Sequence, residues 1–238
     1  MSQLKYKRIL LKISGESLQG AQGHGYDAAT VESVADRICE ARNSGVQIAL
    51  VIGAGNLWRG LAGAGNGMDR VTADHMGMLA TVMNALCLKD AFTRRNVPAH
   101  VHACTDLRPF APRFERDEAL RQLDAGDIVL FAGGTGAPFF TTDTTAALRA
   151  LETNCQAVVK ATKVNGIYTA DPMKDPNAVK FDTLTFQQAV EGRYKIMDSA
   201  AVSLCMDNNL HIVVCKFTES GALTKILSGD FSVGTVVS

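Results

Sequence analysis

The chain has 238 residues, 47% of them hydrophobic, and balances 24 Lys and Arg against 24 Asp and Glu. That length suits a globular protein burying roughly 70–75% of its surface, and the even charge gives no global pull toward nucleic acid or an anionic membrane. No apolar run approaches the ~20 residues that span a bilayer, and Lys12 and Glu16 interrupt the first apolar stretch, so it does not read as a secretion signal. Cys39, Cys87, Cys104, Cys155, Cys205 and Cys215 form no C-x-x-C pair. They read as reduced packing residues of a cytoplasmic protein.

Strand and helix signals alternate along the whole chain. Arg8–Ile13 reads as a strand, Asp27–Asn43 as an amphipathic helix closed near Gly45, and Val46–Ile52 as a second strand. A Gly- and Ala-rich loop leads to a long helix, Arg70–Arg95, stopped by Asn96 and Pro98. A strand at Ala99–Ala103, a helix at Glu115–Ala125 and a strand at Asp127–Phe131 follow, then a helix over 142–153 and a strand at Ala157–Ala161. After an irregular stretch through Pro176 come helices at Thr185–Glu191 and Asp198–Asn208, a strand at His211–Cys215, a helix at Ser220–Leu227 and a strand at Gly234–Val237. Near-continuous apolar strands separated by helices predict one α/β domain: a three-layer α/β/α sandwich around a mainly parallel sheet. The long helix carries two apolar stripes, Val71, Met78, Val82, Leu86 and Met76, Leu79, Met83, Cys87. One buried face needs a single stripe, so this helix is either buried all round or packed on a second subunit.

Three strand ends carry chemistry. The first closes in Lys12-Ile13-Ser14-Gly15-Glu16, which is not a Walker A loop, since the chain has no Gly-Lys dipeptide. Protein-kinase H-R-D and D-F-G signatures are absent as well. Lys12 is either a surface lysine on a strand or an ammonium beside a phosphate. The second strand ends in Ile52-Gly53-Ala54-Gly55-Asn56-Leu57-Trp58-Arg59-Gly60, where glycines free backbone N–H groups and Arg59 adds a planar fork for phosphate oxygens. The third loop, Thr135–Asp143 (TGAPFFTTD), joins a strand to a helix start and combines glycine, Pro138, two aromatics, hydroxyls and a carboxylate. Glycine turns at strand ends line the carboxyl edge of a parallel sheet, where anionic ligands bind; the aromatics and hydroxyls point to a nucleotide.

Taken together, LLKISGESLQG, VIGAGNLWRG, DHMGMLATVMNAL, TGAPFFTTD, KATKVNGIYTADPMKDP and IMDSAA resemble the amino acid kinase family, in its order and spacing from about residue 8 to residue 237. DHMGMLAT and TGxPFFTTD are most similar to the bacterial UMP kinases within it. The resemblance implies the amino acid kinase fold across residues 1–238, with a UMP-binding half over about 1–155 and an ATP-binding half over about 156–238. It also implies γ-phosphoryl transfer from ATP, with Mg²⁺ carried by ATP and no protein-held metal, to UMP. Lys12 then acts as principal cation, with Ile13, Ser14 and Gly15 closing round the ATP phosphates and Gly55 and Arg59 near the reaction centre. Thr162, Asn165, Tyr168 and Asp171 resemble the rest of the ATP site, and Lys160 is a second candidate cation. On the acceptor side stand Ala54, Asp74, Thr135, Gly136, Ala137, Pro138, Phe139, Phe140, Thr141 and Thr142, with one phenylalanine expected to pack inward. Asp143 and Asp198 resemble the carboxylates that keep a catalytic lysine charged and aimed, although Asp198 is also an ordinary helix N-cap. Gly20, Ala21, Gln22, Gly23, His24 and Gly25 match the place of a GTP-activator site. Further implications are a homohexamer, UTP inhibition and a place in pyrimidine nucleotide biosynthesis.

Three positions depart from the family pattern. Ala54 stands for a middle glycine, Ala137 for Asn and Asn165 for a frequent Asp. If position 54 needs a positive φ, Ala strains it by about 1 kcal/mol; otherwise its methyl narrows the acceptor pocket. His100 and His102 alternate on a strand without a third metal ligand nearby, and His75 reads as packed. Two alternatives stay open: a relative acting on a carboxylate or carbamate, which should lack Asp74 and the aromatic loop, and a non-catalytic storage relative, which should lack Lys12 or Asp198.

Overall fold

A computed structural model describes residues 4–59, 65, 67–194 and 196–238. Gly60, the last residue of the second glycine motif, lies outside them. Strands β1 (Arg8–Ile13), β2 (Gln47–Ile52), β3 (Ala99–Ala103), β4 (Ile128–Ala132), β5 (Ala157–Thr162), β9 (His211–Lys216) and β10 (Gly234–Val237) lie in one sheet with the short β8 (Thr183–Leu184). Its eight strands run in the order β3-β4-β2-β1-β5-β9-β10-β8. All neighbours are parallel except β9 and β10, which are antiparallel. A small antiparallel hairpin, β6 (Ile167–Tyr168) with β7 (Lys180–Phe181), interrupts the stretch expected to be irregular.

Alternate residues of each strand feed two cores. Ile9, Leu11, Ile13, Leu50 and Val159 face α1 (Ala28–Asn43), α2 (Arg70–Thr93) and α7 (Ala222–Leu227). Leu10, Val51, Val129 and Val158 face α3 (Arg116–Asp124), α4 (Thr142–Glu152), α5 (Phe186–Glu191) and α6 (Ser199–Asp207). A parallel sheet covered on both sides requires this double burial, and it explains why its strands read as unbroken apolar runs. The expected three-layer α/β/α sandwich is therefore observed. The helix starts are built locally: Asp27, Asp69, Thr141, Thr185 and Asp198 each accept a backbone N–H of the first turn.

The α2 helix is not buried all round. Val82, Ala85, Leu88 and Phe92 enter the core, whereas Met76, Leu79 and Met83 are exposed, Leu79 by 56% and Met83 by 54%. Of the two readings of its double stripe, the fully buried one fails for this subunit.

Two register facts place the chemistry. Lys12 and Lys160 are direct cross-strand partners on β1 and β5. They share the face of Leu10 and Val158, so both point toward α4 and α6.

Candidate active site

The two lysines meet one carboxylate. Asp143, in the first turn of α4, receives Lys12 Nζ on Oδ1 at 2.8 Å and Lys160 Nζ on Oδ2 at 2.8 Å. All three side chains are largely removed from solvent, at 13%, 19% and 12% exposure for Lys12, Lys160 and Asp143. Burial pushes the Asp143 carboxyl up, but the two ammonium groups outweigh it and hold it below the usual carboxylate range. Lys160 also donates to the Ile196 carbonyl at 2.6 Å. An ammonium has three donors. Among the described residues Lys12 is held by its ion pair with Asp143 and Lys160 donates two hydrogen bonds, leaving N–H bonds free to meet an anion.

A cavity lies on either side of this triad. The first, about 150 Å³, is lined by Ala54, Trp58, Asp74, Met78, Thr135, Phe140, Thr141 and Thr142. Gly133, Gly134 and Gly136 turn the chain above it with φ of 77°, 64° and 85°, a region that disfavours any side chain. Asp74 accepts the Phe139 N–H at 2.8 Å and the Arg70 Nε at 2.9 Å. Desolvation works to raise this carboxyl; the Phe139 N–H and the Arg70 guanidinium outweigh it and keep it low. Phe139 itself is left-handed at φ 72°, and Arg70 lies over its ring at 5.2 Å. Neither aromatic packs inward as expected, since Phe139 is 64% and Phe140 53% exposed. Hydrogen bonding of the Phe139 N–H to Asp74 turns its ring outward. Thr135 Oγ1 accepts the Ala137 N–H at 3.1 Å, while Pro138 is half-buried between them and the phenylalanines.

The second cavity, about 580 Å³, is lined by Lys160, Thr162, Tyr168, Asp171, Tyr194, Ile196 and Val214 among others. The Tyr168 hydroxyl donates to Asn165 Oδ1 at 2.5 Å, so the residue replacing the usual Asp fixes the tyrosine. Thr162 Oγ1 donates to the Val164 carbonyl at 2.6 Å, and Asp171 accepts the Met173 N–H at 3.0 Å. Ser14 and Thr162 also border a third hollow of about 470 Å³ beneath α1.

Several expected residues take other partners. Arg59 is paired with Glu16, whose second oxygen holds Lys163 at 3.2 Å. Asp198 does not touch a lysine among the described residues. It caps α6 through the Ala201 N–H at 2.8 Å and accepts the hydroxyls of Thr141 and Thr144, the latter at 2.9 Å. It therefore secures the start of α4, and with it Asp143. Ala54 has no positive φ, so its methyl lines the pocket without backbone strain. His75 is exposed rather than packed. His100 bonds Asp127 and His102 bonds Gln122, each at 2.8 Å. Gly20–Gln22 is a 3-10 turn, and Gly23, His24 and Gly25 continue the chain back to α1. The cysteines are free, and burial pushes the thiols of Cys155, Cys205 and Cys215 up to about 12.

Sequence reading missed Glu16, Arg70, Thr81 and Thr144. Arg70 was detectable, because it lies four residues before Asp74 on one helix. Thr81, which accepts the Gly133 N–H at 2.8 Å, carries no signal beyond a hydroxyl inside an apolar helix.

A covered parallel sheet with anion-ready lysines between two cavities is the frame of a small-molecule phosphotransferase, and the chain belongs to the amino acid kinase family, whose model matches residues 7–216. Among solved structures it is similar to the UMP kinase of Bacillus anthracis, at 34% identity and a TM-score of 0.93, covering 98% of this chain and 96% of that one. It is also similar to the UMP kinase of Ureaplasma parvum, at 31% identity and 0.92, over 99% and 100%. The uridylate kinase of Archaeoglobus fulgidus matches at 26% identity and 0.70, over 97% and 99%.

Proposed function

We propose that this chain is a nucleoside monophosphate kinase that transfers the γ-phosphoryl of Mg-ATP to UMP, giving UDP and ADP. The observation that carries this reading is the buried Lys12–Asp143–Lys160 triad between a narrow cavity bearing Asp74 and a wider one bearing Tyr168 and Asp171. The acceptor is already an oxyanion, so the reaction needs no strong general base; it needs two polyanions held in line and their charge neutralised. Lys12 and Lys160 supply that positive charge with spare N–H donors, and Asp143 holds both in place. Both Asp143 oxygens are engaged by lysines, and Mg²⁺ would be carried by ATP, where it would neutralise phosphate charge. The Ser14–Gly15 and Gly53–Gly55 backbones close on the phosphates. Arg59 exchanges Glu16 for a phosphate when substrates enter. Asp74 reads the nucleoside of UMP beside the Thr135–Thr142 loop, while Thr162, Asn165, Tyr168 and Asp171 hold ATP. The acceptor half covers about residues 1–155 and the donor half about 156–238.

The same reading carries a place in pyrimidine nucleotide biosynthesis, activation by GTP through Gly20–Gly25, inhibition by UTP, and a homohexamer. The exposed Leu79 and Met83 face on α2 supports subunit contact. The cytoplasmic reading rests on six cysteines without a pairing pattern.

ADP release from Mg-ATP, measured with UMP, CMP, AMP, GMP, acetylglutamate and aspartate in turn, tests the assignment. Turnover is expected with UMP foremost. Turnover with a carboxylate alone overturns the substrate, and ATP binding without turnover of any acceptor favours a storage protein.

A further inference from the structure

Beside the Gly53–Gly55 loop, two asparagines of no assigned role are buried against each other. Asn56 follows the β2 glycine loop and is 4% exposed; Asn84, midway along α2, is fully buried. Asn84 Nδ2 donates to the Gly53 carbonyl at 2.7 Å and to Asn56 Oδ1 at 2.8 Å. Asn56 Nδ2 donates to Asn84 Oδ1 at 3.1 Å and to the Gly25 carbonyl at 2.9 Å. Carbonyls only accept, so these partners fix the orientation of both amides. All four side-chain donor hydrogens are used, and each amide oxygen accepts from the other side chain. The Gly25 N–H closes the ring of contacts by donating to the Asn56 carbonyl at 2.8 Å.

The pair lies where three loops stack without slack. A Cβ on Gly15 would stand 2.4 Å from Asn56 Oδ1, 2.4 Å from the Gly53 carbonyl and 2.9 Å from the Gly55 nitrogen. Asn56 is thus in direct contact with the Ser14–Gly15 loop while tying the Gly53–Gly55 loop to α2 and the Gly25 turn to both. Three residues earlier on α2, Thr81 holds the Gly133 N–H of the acceptor loop. An apolar pair of similar volume would fill the space but leave the Gly53 and Gly25 carbonyls without these donors.

We propose that the Asn56–Asn84 amide pair positions the phosphoryl-transfer site by setting the Gly53–Gly55 backbone against the Ser14–Gly15 loop. It touches neither substrate and acts through the backbone groups that do. The inference rests on the reading of these two loops as phosphate-binding. A misplacement of about 1 Å at such loops costs on the order of 100-fold in rate.

The test is a cycle of Asn56→Ala, Asn84→Leu and the double variant, following kcat, both KM values and thermal unfolding. Each single variant is expected to remain folded and lose roughly 100-fold in kcat, with UMP KM changed less than threefold. The double variant should be no slower than the worse single, because either change already dissolves the pair. Asn84→Ser, which keeps one donor, should recover part of the loss, and it carries the comparison if Asn84→Leu does not fold. Unchanged kcat per folded molecule, or losses that multiply in the double variant, would overturn the proposal. UMP turnover by the parent protein tests the underlying kinase assignment separately. If the parent does not turn over UMP, amide exchange decides: Asn84→Ser should speed Gly25, Gly53 and Leu57 at least tenfold with β5 unchanged. Uniform acceleration, or none, refutes the positioning role.

Discussion

Replacing Asp143 by Asn keeps the shape of the side chain and removes the charge that separates Lys12 from Lys160. The two ammonium groups each sit 2.8 Å from opposite oxygens of that carboxylate. At a separation of about 5 Å and an effective dielectric near 20, their mutual repulsion is about 3 kcal/mol once Asp143 is neutral. Loss of one partner from a buried ion pair costs about 3–5 kcal/mol, which for a chain of this size is a fall in Tm of roughly 10 °C. The variant is also expected to lose about 100- to 1,000-fold in kcat, as when a preorganised charge-stabilising donor is removed. Differential scanning calorimetry and ADP release measure the two effects. Their pH dependence is diagnostic. The folded Asp143 carboxyl lies below its ordinary value of 3.8. Its stabilisation is therefore complete above that value and disappears as pH falls through the lower folded one. The Tm gap between parent and variant should accordingly be constant from pH 8 to about 5 and narrow only in stronger acid. An Asp143→Asn protein with parental Tm and kcat at pH 7.5 would refute the charge-sharing argument.

Asp74→Ala should raise the UMP KM by about 10- to 100-fold while leaving the ATP KM within about threefold, since Asp74 lines the acceptor cavity alone; parallel loss on both substrates would contradict the division into two half-sites. Ala54→Gly should lower stability by about 0.5–1 kcal/mol, because position 54 has no positive φ and glycine only loosens the unfolded chain. A rise in Tm would mean that the alanine is strained after all. Leu79→Arg together with Met83→Glu, on the exposed α2 face, should dissociate the assembly in light scattering without unfolding the subunit; an unchanged mass removes this face from the interface.

Much of the fold was legible because each central strand is an apolar run and five of the helices begin at an Asp or Thr cap. Both signals are local. The antiparallel direction of β10 was not legible, because a four-residue apolar strand reads the same either way, and β6, β7 and β8 are too short to show periodicity. In the site, Lys12, Asp143 and Lys160 come together as their motifs suggested, because strand register places both lysines on one face. Asp198 and Arg59 behave differently for reasons that lie between elements. Two threonine hydroxyls of the α4 start reach Asp198, and Glu16 of the neighbouring loop reaches Arg59. Such pairings depend on loop packing, which residue spacing does not encode. The outward Phe139 has the same origin, in its backbone N–H taken by Asp74 of another helix.

The register of β1 on β5 has a consequence for how this protein forms and fails. Like charges directly opposite in a sheet disfavour the pairing of their strands, so the Lys12–Lys160 rung opposes closure of the sheet until the helix bearing Asp143 has docked. Formation of the central sheet and assembly of the reactive centre are then a single cooperative event. No partly folded form with a zipped β1–β5 ladder and an absent α4 should accumulate. During denaturation, the Lys12–Asp143–Lys160 contacts should be lost together with the global transition rather than ahead of it.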